Sequence, residues 1–537
     1  MAVTAGGDSQ DTLSSTQASL PAQTRRQPEP GPGPSFRAAL AGARRHWLLI
    51  GLLVAGLALR VLAQLAYRPA LLYIDSPKYL INGLQKYDPQ GYRILLAPLT
   101  WLGNLAVVAG FQHLLGLAMA VALYATLLRR NAPRWAAALA VAPVLLDAYQ
   151  LQMEQTIMPD VAFEAFIVAG LVILAWRPRP SPAAIALAGF ILGASATIRQ
   201  VGEFLVLPAV LFCVLAARGW RGRLGAGALA LFSFAVPILV YLTYSAVVLG
   251  GGFELSNQGD AVLYGRAAAA ADCTTLRVTA TERAVCPTPA QVRSFGVDGL
   301  VNDPTSPAYT ANLPNGVNHA DMANSLAHAV LVQQPLRVAV AIGEDAIKLF
   351  ALTRDTSPGD TPISRWQFQT SWPMYPFAIT EATSIDMFNA TGGGGAPFAD
   401  RPLAGFLRDY QLHGGWTPGP FLLVSLLTGV AGVAVGRRRG GDSSAALVCL
   451  LVTGLGVAVL LGADLYEFSW RYQLPALITL PAGGALGVAA IRSRLRPHRD
   501  PGDGQPPVTW GPCPASTSHQ TSGPLTPGSS TPTPGSG

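Results

Sequence analysis

The sequence predicts an all-α polytopic membrane protein with about ten transmembrane helices, an extracytoplasmic surface-helix loop and one large extracytoplasmic insertion. Three observations lead there. Half of the 537 residues are hydrophobic, only 12% are charged and the mean hydropathy is +0.35, a membrane composition rather than a soluble one. Apolar stretches lie at 46–66, 104–128, 134–148, 157–176, 182–198, 200–217, 224–248, 419–435, 444–463 and 471–491, most of them near the ~20 residues a helix needs to cross the hydrocarbon core. Laid out in that order, the arginine-rich connections all fall on one side.

Residues 1–43, rich in Gln, Pro, Gly, Ser and Thr, lack the apolar pattern that buries a core and are expected to be a disordered cytoplasmic segment. The first span is long and follows a long leader, so it reads as a retained anchor. Residues 44–248 form the main transmembrane bundle. Arg44 and Arg45 precede it, and Arg129, Arg130, Arg134, Arg177, Arg179, Arg218, Arg221 and Arg223 fill its connections. The positive-inside rule makes these cytoplasmic, with both termini inside.

The first outer loop, 67–103, contains YIDSPKYL. Ser-Pro is a helix-start signal, and Pro77, Leu80, Leu84 and Tyr87 would share one face of a short surface helix running up to the Asp88-Pro89 break. Asp75, just ahead of it, is either a carboxylate stabilised by a helix N-terminus or a functional group facing a pocket; spacing leaves both open. Asp88 is either turn chemistry or a second functional acid.

The second outer segment carries Asp147, Glu154, Asp160 and Glu164 beside or within apolar spans. Acids at that depth face a cavity or a partner rather than lipid; Arg60, Arg199 and Arg471 are the candidate partners. At the next outer turn Arg199 and Glu203 are spaced to form an i,i+4 pair. Alternatively, arginines held among carboxylates at the membrane edge suit an anionic lipid headgroup, since the guanidinium fork matches phosphate.

The insertion, 249–418, shows no alternating pattern long enough for a sandwich. Helices are expected over His319 to Gln333 and Pro335 to Leu352, resting on the membrane or capping the bundle. Cys273 and Cys286, close in sequence and on the oxidising side, are expected to form a disulfide. The C-terminal spans occupy 419–496, with Arg437, Arg438, Arg439, Arg492, Arg494 and Arg496 inside, and 497–537 is a disordered tail by composition.

A net charge of +7 and a pI of 9.3 do not point to nucleic acid, because the arginines cluster at span ends where anionic headgroups lie. Walker, HExxH, CxxC, GxSxG and dinucleotide motifs are absent from the sequence. A transporter or flippase would also use buried acids and arginines, but here the acids gather at one face and no inverted repeat is evident. A non-catalytic envelope protein is the third alternative.

The order of YIDSPKYL, GYRILLAPL, MEQTIMPDVAFEAF, ATIRQVGEF and SWRYQLPAL resembles the C-type superfamily of polytopic membrane glycosyltransferases, in particular protein mannosyltransferases and aminoarabinose transferases. The resemblance implies a polyprenyl-phosphate sugar donor and a lipid, glycan or protein hydroxyl acceptor. It implies Asp75 as the general base, with Lys78, Arg93, Arg199 and Arg471 stabilising the departing phosphate, and Asp88, Glu154, Asp160 and Glu203 as further substrate-binding candidates. Asp75 is followed by Ser76, where many relatives have two adjacent acids, so no metal and no other cofactor is expected. High Ala, Gly, Arg and Pro usage favours a bacterial plasma membrane as the location.

Overall fold

The first described helix, α1 (Trp47–Ala66), exposes Ile50, Val54, Leu57, Val61 and Leu65 along one stripe. Large apolar side chains at helical spacing and without a protein partner are what a lipid-facing helix presents. In this computed structural model residues 44–73, 75–81, 88–256, 259–371, 397–437 and 443–495 are described. The chain divides into Met1–Ser493, the fold discussed below, and Arg494–Gly537, of which only the last two residues of the closing helix are described. The expected disordered segments 1–43 and 497–537 lie outside the described residues.

After strand β1 (Tyr67–Arg68) come the short helix α2 (Ser76–Leu80), α3 (Gly91–Thr100), α4 (Leu105–Arg129), α5 (Arg134–Leu146), α6 (Ala148–Gln155), α7 (Asp160–Ala175) and α8 (Pro182–Ala196). A 3-10 turn (Gln200–Leu205), α9 (Val206–Ala216) and α10 (Gly219–Tyr244) complete the first bundle. The inserted segment contributes α11 (Gly259–Ala270), α12 (Ala280–Ala284), α13 (Pro289–Asn302), α14 (Pro307–Thr310), α15 (His319–Gln333), α16 (Pro335–Lys348), strand β2 (Phe398–Ala399) and α17 (Arg401–Leu412). Three helices close the chain: α18 (Gly419–Arg437), α19 (Ser443–Tyr466) and α20 (Leu474–Leu495). Strands β1 and β2 pair antiparallel, Tyr67 opposite Ala399.

Each apolar stretch read from the sequence contains a helix, so the all-α membrane class holds. The count of ten is not confirmed: among the described residues six helices are long and apolar enough to cross a membrane, or up to eight if each bent pair is one span. The difference has local causes. The stretch 134–148 breaks at Asp147, where α5 and α6 meet at 48°, and α7, α8 and α9 are too short to qualify. One bent pair, α15 with α16 at 94°, belongs to the insertion and was expected as surface helices.

The core of the bundle is a continuous packing of Leu, Ala, Val and aromatic side chains, and α20 is buried along nearly its whole length. The insertion has a smaller core of its own around Tyr264, Leu300, Leu326 and Val330, with Cys273 and Cys286 joined across it. It is anchored to the bundle at the α5–α6 break. There Asp147 caps α6 by accepting from Tyr149 N, accepts from Arg354 Nη2 at 2.8 Å and accepts from Thr417 N at 2.7 Å. Arg354 also lies over the Tyr149 ring at 4.5 Å.

The first-loop helix is shorter than its sequence pattern. Ile81 is already extended, which ends α2 after Leu80, and Leu84 and Tyr87 lie outside the described residues. Ser76 does not cap the helix: its hydroxyl accepts from Tyr73 N at 2.8 Å and donates to Ile157 O at 2.9 Å. Together with the bridge in which Leu71 N donates to Gln155 O and Ile157 N to Leu71 O, both at 3.0 Å, this fastens the loop beside the start of α7.

Candidate active site

Asp160 is the first residue of α7, where a carboxylate is favoured by the unsatisfied amides of the helix start. It is almost fully buried, 2% exposed, and survives there because two guanidiniums meet it. Arg471 Nε donates to both Asp160 oxygens at 3.0 Å, and Arg199 Nη1 pairs with the same carboxylate. Arg199 comes from the extended residue that opens the 3-10 turn, and Arg471 from the α19–α20 connection. The expected i,i+4 pairing of Arg199 with Glu203 gives way to this pair, because the extended backbone at Arg199 removes the helical spacing and a buried carboxylate is the stronger partner.

Arg471 also reaches the first loop: its Nη1 donates to Asp75 Oδ2 at 3.1 Å. Lys78 Nζ sits between two carboxylates, 3.0 Å from Asp75 Oδ1 and 2.6 Å from Asp88 Oδ2. Asp75, Lys78, Asp88, Asp160, Arg199 and Arg471 therefore form one chain of alternating charge. Aromatic faces cover its cations: Arg471 lies 5.3 Å from the Trp366 ring and 5.4 Å from Tyr472, and Arg199 lies 4.6 Å from Tyr472. Cations over ring faces are held without losing their charge.

The cluster, with Asp160 behind it, lines a cavity of about 860 Å³, within the range of roughly 300–1,000 Å³ typical of small-molecule sites. Its rim includes Asp75, Lys78, Asp88, Arg199, Arg471 and Glu467 from the bundle and its loops, and Asp298, Thr361, Arg365 and Trp366 from the insertion. Burial pushes the Asp75 carboxyl up, but Lys78 and Arg471 outweigh it and hold it at about 2. Burial raises Asp88 against the pull of Lys78, with the Asp75 charge adding to the rise. Glu467 is pushed up to about 8 by burial, with the Asp298 charge adding. Three carboxyls in one cavity thus differ in proton affinity for identifiable reasons.

Three sequence candidates lie elsewhere. Glu154 is fully buried behind the cavity, paired with Arg60 Nη2 at 2.7 Å and with His113 Nδ1 at 2.9 Å; Arg60 also donates to the Val144 and Leu145 carbonyls. It joins α1, α4 and α6 and does not line the cavity. Arg93 donates from Nη1 to Ile81 O at 2.8 Å, tying α3 to the end of α2. Glu203 sits on the 3-10 turn and is not part of the lining. Conversely, Trp366, Arg365 and Asp298 had no signal in the sequence, since nothing in a long insertion marks which stretch folds back onto a distant loop. Glu467 could have been singled out as an acid at the mouth of an apolar span. Among the described residues no group of three or more His, Cys, Asp or Glu side chains is arranged to hold a metal ion.

The site lies at the start of α7, around Asp160, and Arg130 lies at the other end of that helix. Arg130 donates to the carbonyls of Ala175 and Arg177 at the far end of α7, and a helix of 16 residues spans about 24 Å. Fold and site together define a polytopic membrane protein with a charged, aromatic-walled cavity at one membrane edge. Residues 78–249 match the family model described as dolichyl-phosphate-mannose-protein mannosyltransferase; over that stretch the chain is similar to a C-type polytopic membrane glycosyltransferase family, as the sequence motifs imply. The match takes in Lys78, Asp88, Asp160 and Arg199, and leaves out Asp75, Arg471 and the insertion. No curated protein and no solved structure matches the chain.

Proposed function

We propose that this chain is a membrane glycosyltransferase that moves a sugar, a hexose by its family match, from a polyprenyl-phosphate donor to a hydroxyl on a lipid, glycan or protein acceptor. The observation that carries the reading is the convergence of Lys78, Arg199 and Arg471 on one cavity beside an ionised Asp75. The site faces the extracytoplasmic side, a reading supported by the arginine-bearing connections at the opposite helix ends.

In the reaction the acceptor oxygen attacks the anomeric carbon and its proton passes to the Asp75 carboxylate. The bond from that carbon to the phosphate oxygen breaks, and the phosphate leaves with its charge met by Lys78, Arg199 and Arg471. A carboxyl held at about 2 by Lys78 and Arg471 is a weak base. A bound phosphate competes for Lys78 and Arg471, loosens their hold on Asp75 and raises its proton affinity, so the base gains strength when donor is present. Asp160 keeps both arginines aimed at the cavity.

The test uses purified protein in vesicles with undecaprenyl-phosphate mannose labelled in the sugar. A transferase releases or transfers the sugar, and Lys78→Ala lowers that rate by about 100-fold or more, the order expected when one charge-stabilising group is removed. Movement of the intact donor across the bilayer with no bond broken would identify a transporter instead.

A further inference from the structure

The cavity has two chemically different walls. The bundle side carries three cations, Lys78, Arg199 and Arg471, interleaved with the acids Asp75 and Asp88. The other side comes from the insertion and presents Asp298, Asn302, Asp303, Thr361, Arg365 and Trp366: carboxylates, a carboxamide, a hydroxyl, a guanidinium and an indole, which is hydrogen-bonding equipment suited to a polyol.

This wall is built. Helix α13 is kinked at Gly296, whose φ of +62° is open to glycine at little cost. A Cβ there would also run into the carbonyl oxygen of Gly359, so two insertion segments touch backbone to backbone at the kink. Beyond it, Asp298 accepts from Asn302 Nδ2 at 2.8 Å and from Arg365 Nη1 at 3.2 Å. The segment that carries Arg365 places Trp366 against Tyr73, with ring centroids 4.6 Å apart, and 5.3 Å from the Arg471 guanidinium. A continuous line of contacts therefore joins the insertion wall to the cations of the bundle.

Two side chains of this wall are more than nine-tenths buried yet keep a polar atom without a partner. They are Thr361, 5% exposed, at Oγ1, and Trp366, 3% exposed, at Nε1. A buried polar atom without a partner is costly, so two of them among the residues lining one cavity mark a wall that can still take polar groups of a ligand.

We propose that the insertion, through Asp298 and Thr361, forms the subsite that binds the hydroxyls of the donor's sugar while the bundle holds its phosphate. This rests on the transferase reading above. The sugar is assigned here because it is bonded directly to the phosphate and must lie beside the cations, and Trp366 brings the insertion wall to Arg471. The sequence region similar to the mannosyltransferase family ends at residue 249, so sugar choice in this chain is set by a segment outside that similarity.

The test measures binding of undecaprenyl phosphate, undecaprenyl-phosphate mannose and undecaprenyl-phosphate glucose to the full chain in detergent, for wild type, Asp298→Asn and Thr361→Val. Wild type should bind one glycosylated donor more tightly than the bare carrier. Each variant should lose about tenfold of that preference, the order of one hydrogen bond to a charged or buried group, while bare-carrier binding stays unchanged and reports an intact fold and phosphate site. Preference retained in both variants overturns the inference, and so does an equal loss of carrier and donor affinity, which would put these residues with the phosphate. Absence of carrier binding by wild type would sink the transferase reading itself.

Discussion

Asp160→Asn isolates the strut beneath the candidate site. The wild-type carboxylate is 2% exposed and holds Arg471 through Nε at 3.0 Å and Nη2 at 3.0 Å, and Arg199 through Nη1. Asparagine keeps the shape but removes the charge and turns one acceptor into a donor that faces guanidinium donors. Breaking a buried ion pair from one side costs about 3–5 kcal/mol, because the other charge is left uncompensated. Two features put this case near the lower end. Arg471 keeps Asp75 at 3.1 Å, and Arg199 keeps the Tyr472 ring at 4.6 Å. A loss of about 3 kcal/mol is therefore expected, with weaker donor turnover because Arg471 swings toward Asp75. Unfolding of the purified protein in mixed detergent and SDS, followed by tryptophan fluorescence, reads the first; sugar release reads the second. An Asn variant with wild-type stability and wild-type turnover would refute the argument that Asp160 aims both arginines.

Two further predictions concern pH and packing. Burial pushes Glu467 up to about 8 in the fold against an ordinary carboxyl value of ~4.3. Between those values the folded state binds a proton that the unfolded state has lost, so this group's contribution to stability falls as pH rises through the window. Glu467→Gln should flatten that part of the profile, measured as unfolding midpoints from about pH 5 to about pH 9; parallel wild-type and variant profiles would contradict the assignment. Gly116→Ala puts a methyl group into the Glu154 carboxylate and against Arg60, and should cost roughly 1–3 kcal/mol by overpacking. The same unfolding titration reads it, and a neutral effect would mean that the Arg60–Glu154 pair has room to shift.

The membrane class was legible because hydropathy and arginine placement report on the bilayer, which acts on every span alike. The number of spans was less legible, because local breaks decide which apolar stretches stay whole. Asp147 sits in mid-stretch and caps a second helix instead of letting the first continue. Asp75, Lys78, Asp88, Arg199 and Arg471 could be read as site candidates since charge beside an apolar span is costly and has few uses, and they do gather around one cavity. Glu154 carries the same signal yet pairs with Arg60 and His113 inside the helices; from sequence, an acid that braces helices and one that faces a cavity look alike. Asp160 is intermediate, buried behind the cavity but holding two of its cations. The contribution of Asp298, Thr361 and Trp366 depends on how the insertion folds back through the Gly296–Gly359 contact, a long-range approach with no local pattern.

The most direct measurement of the central claim is sugar transfer or release from radiolabelled undecaprenyl-phosphate mannose by the purified chain, wild type beside Asp75→Asn. Wild type should turn the donor over and the variant should lose at least ~100-fold, the low end for removing a general base, with binding of the bare lipid phosphate retained. Turnover unchanged by the substitution would contradict the assignment of Asp75, and no turnover or binding of any polyprenyl-phosphate sugar would contradict the transferase reading as a whole.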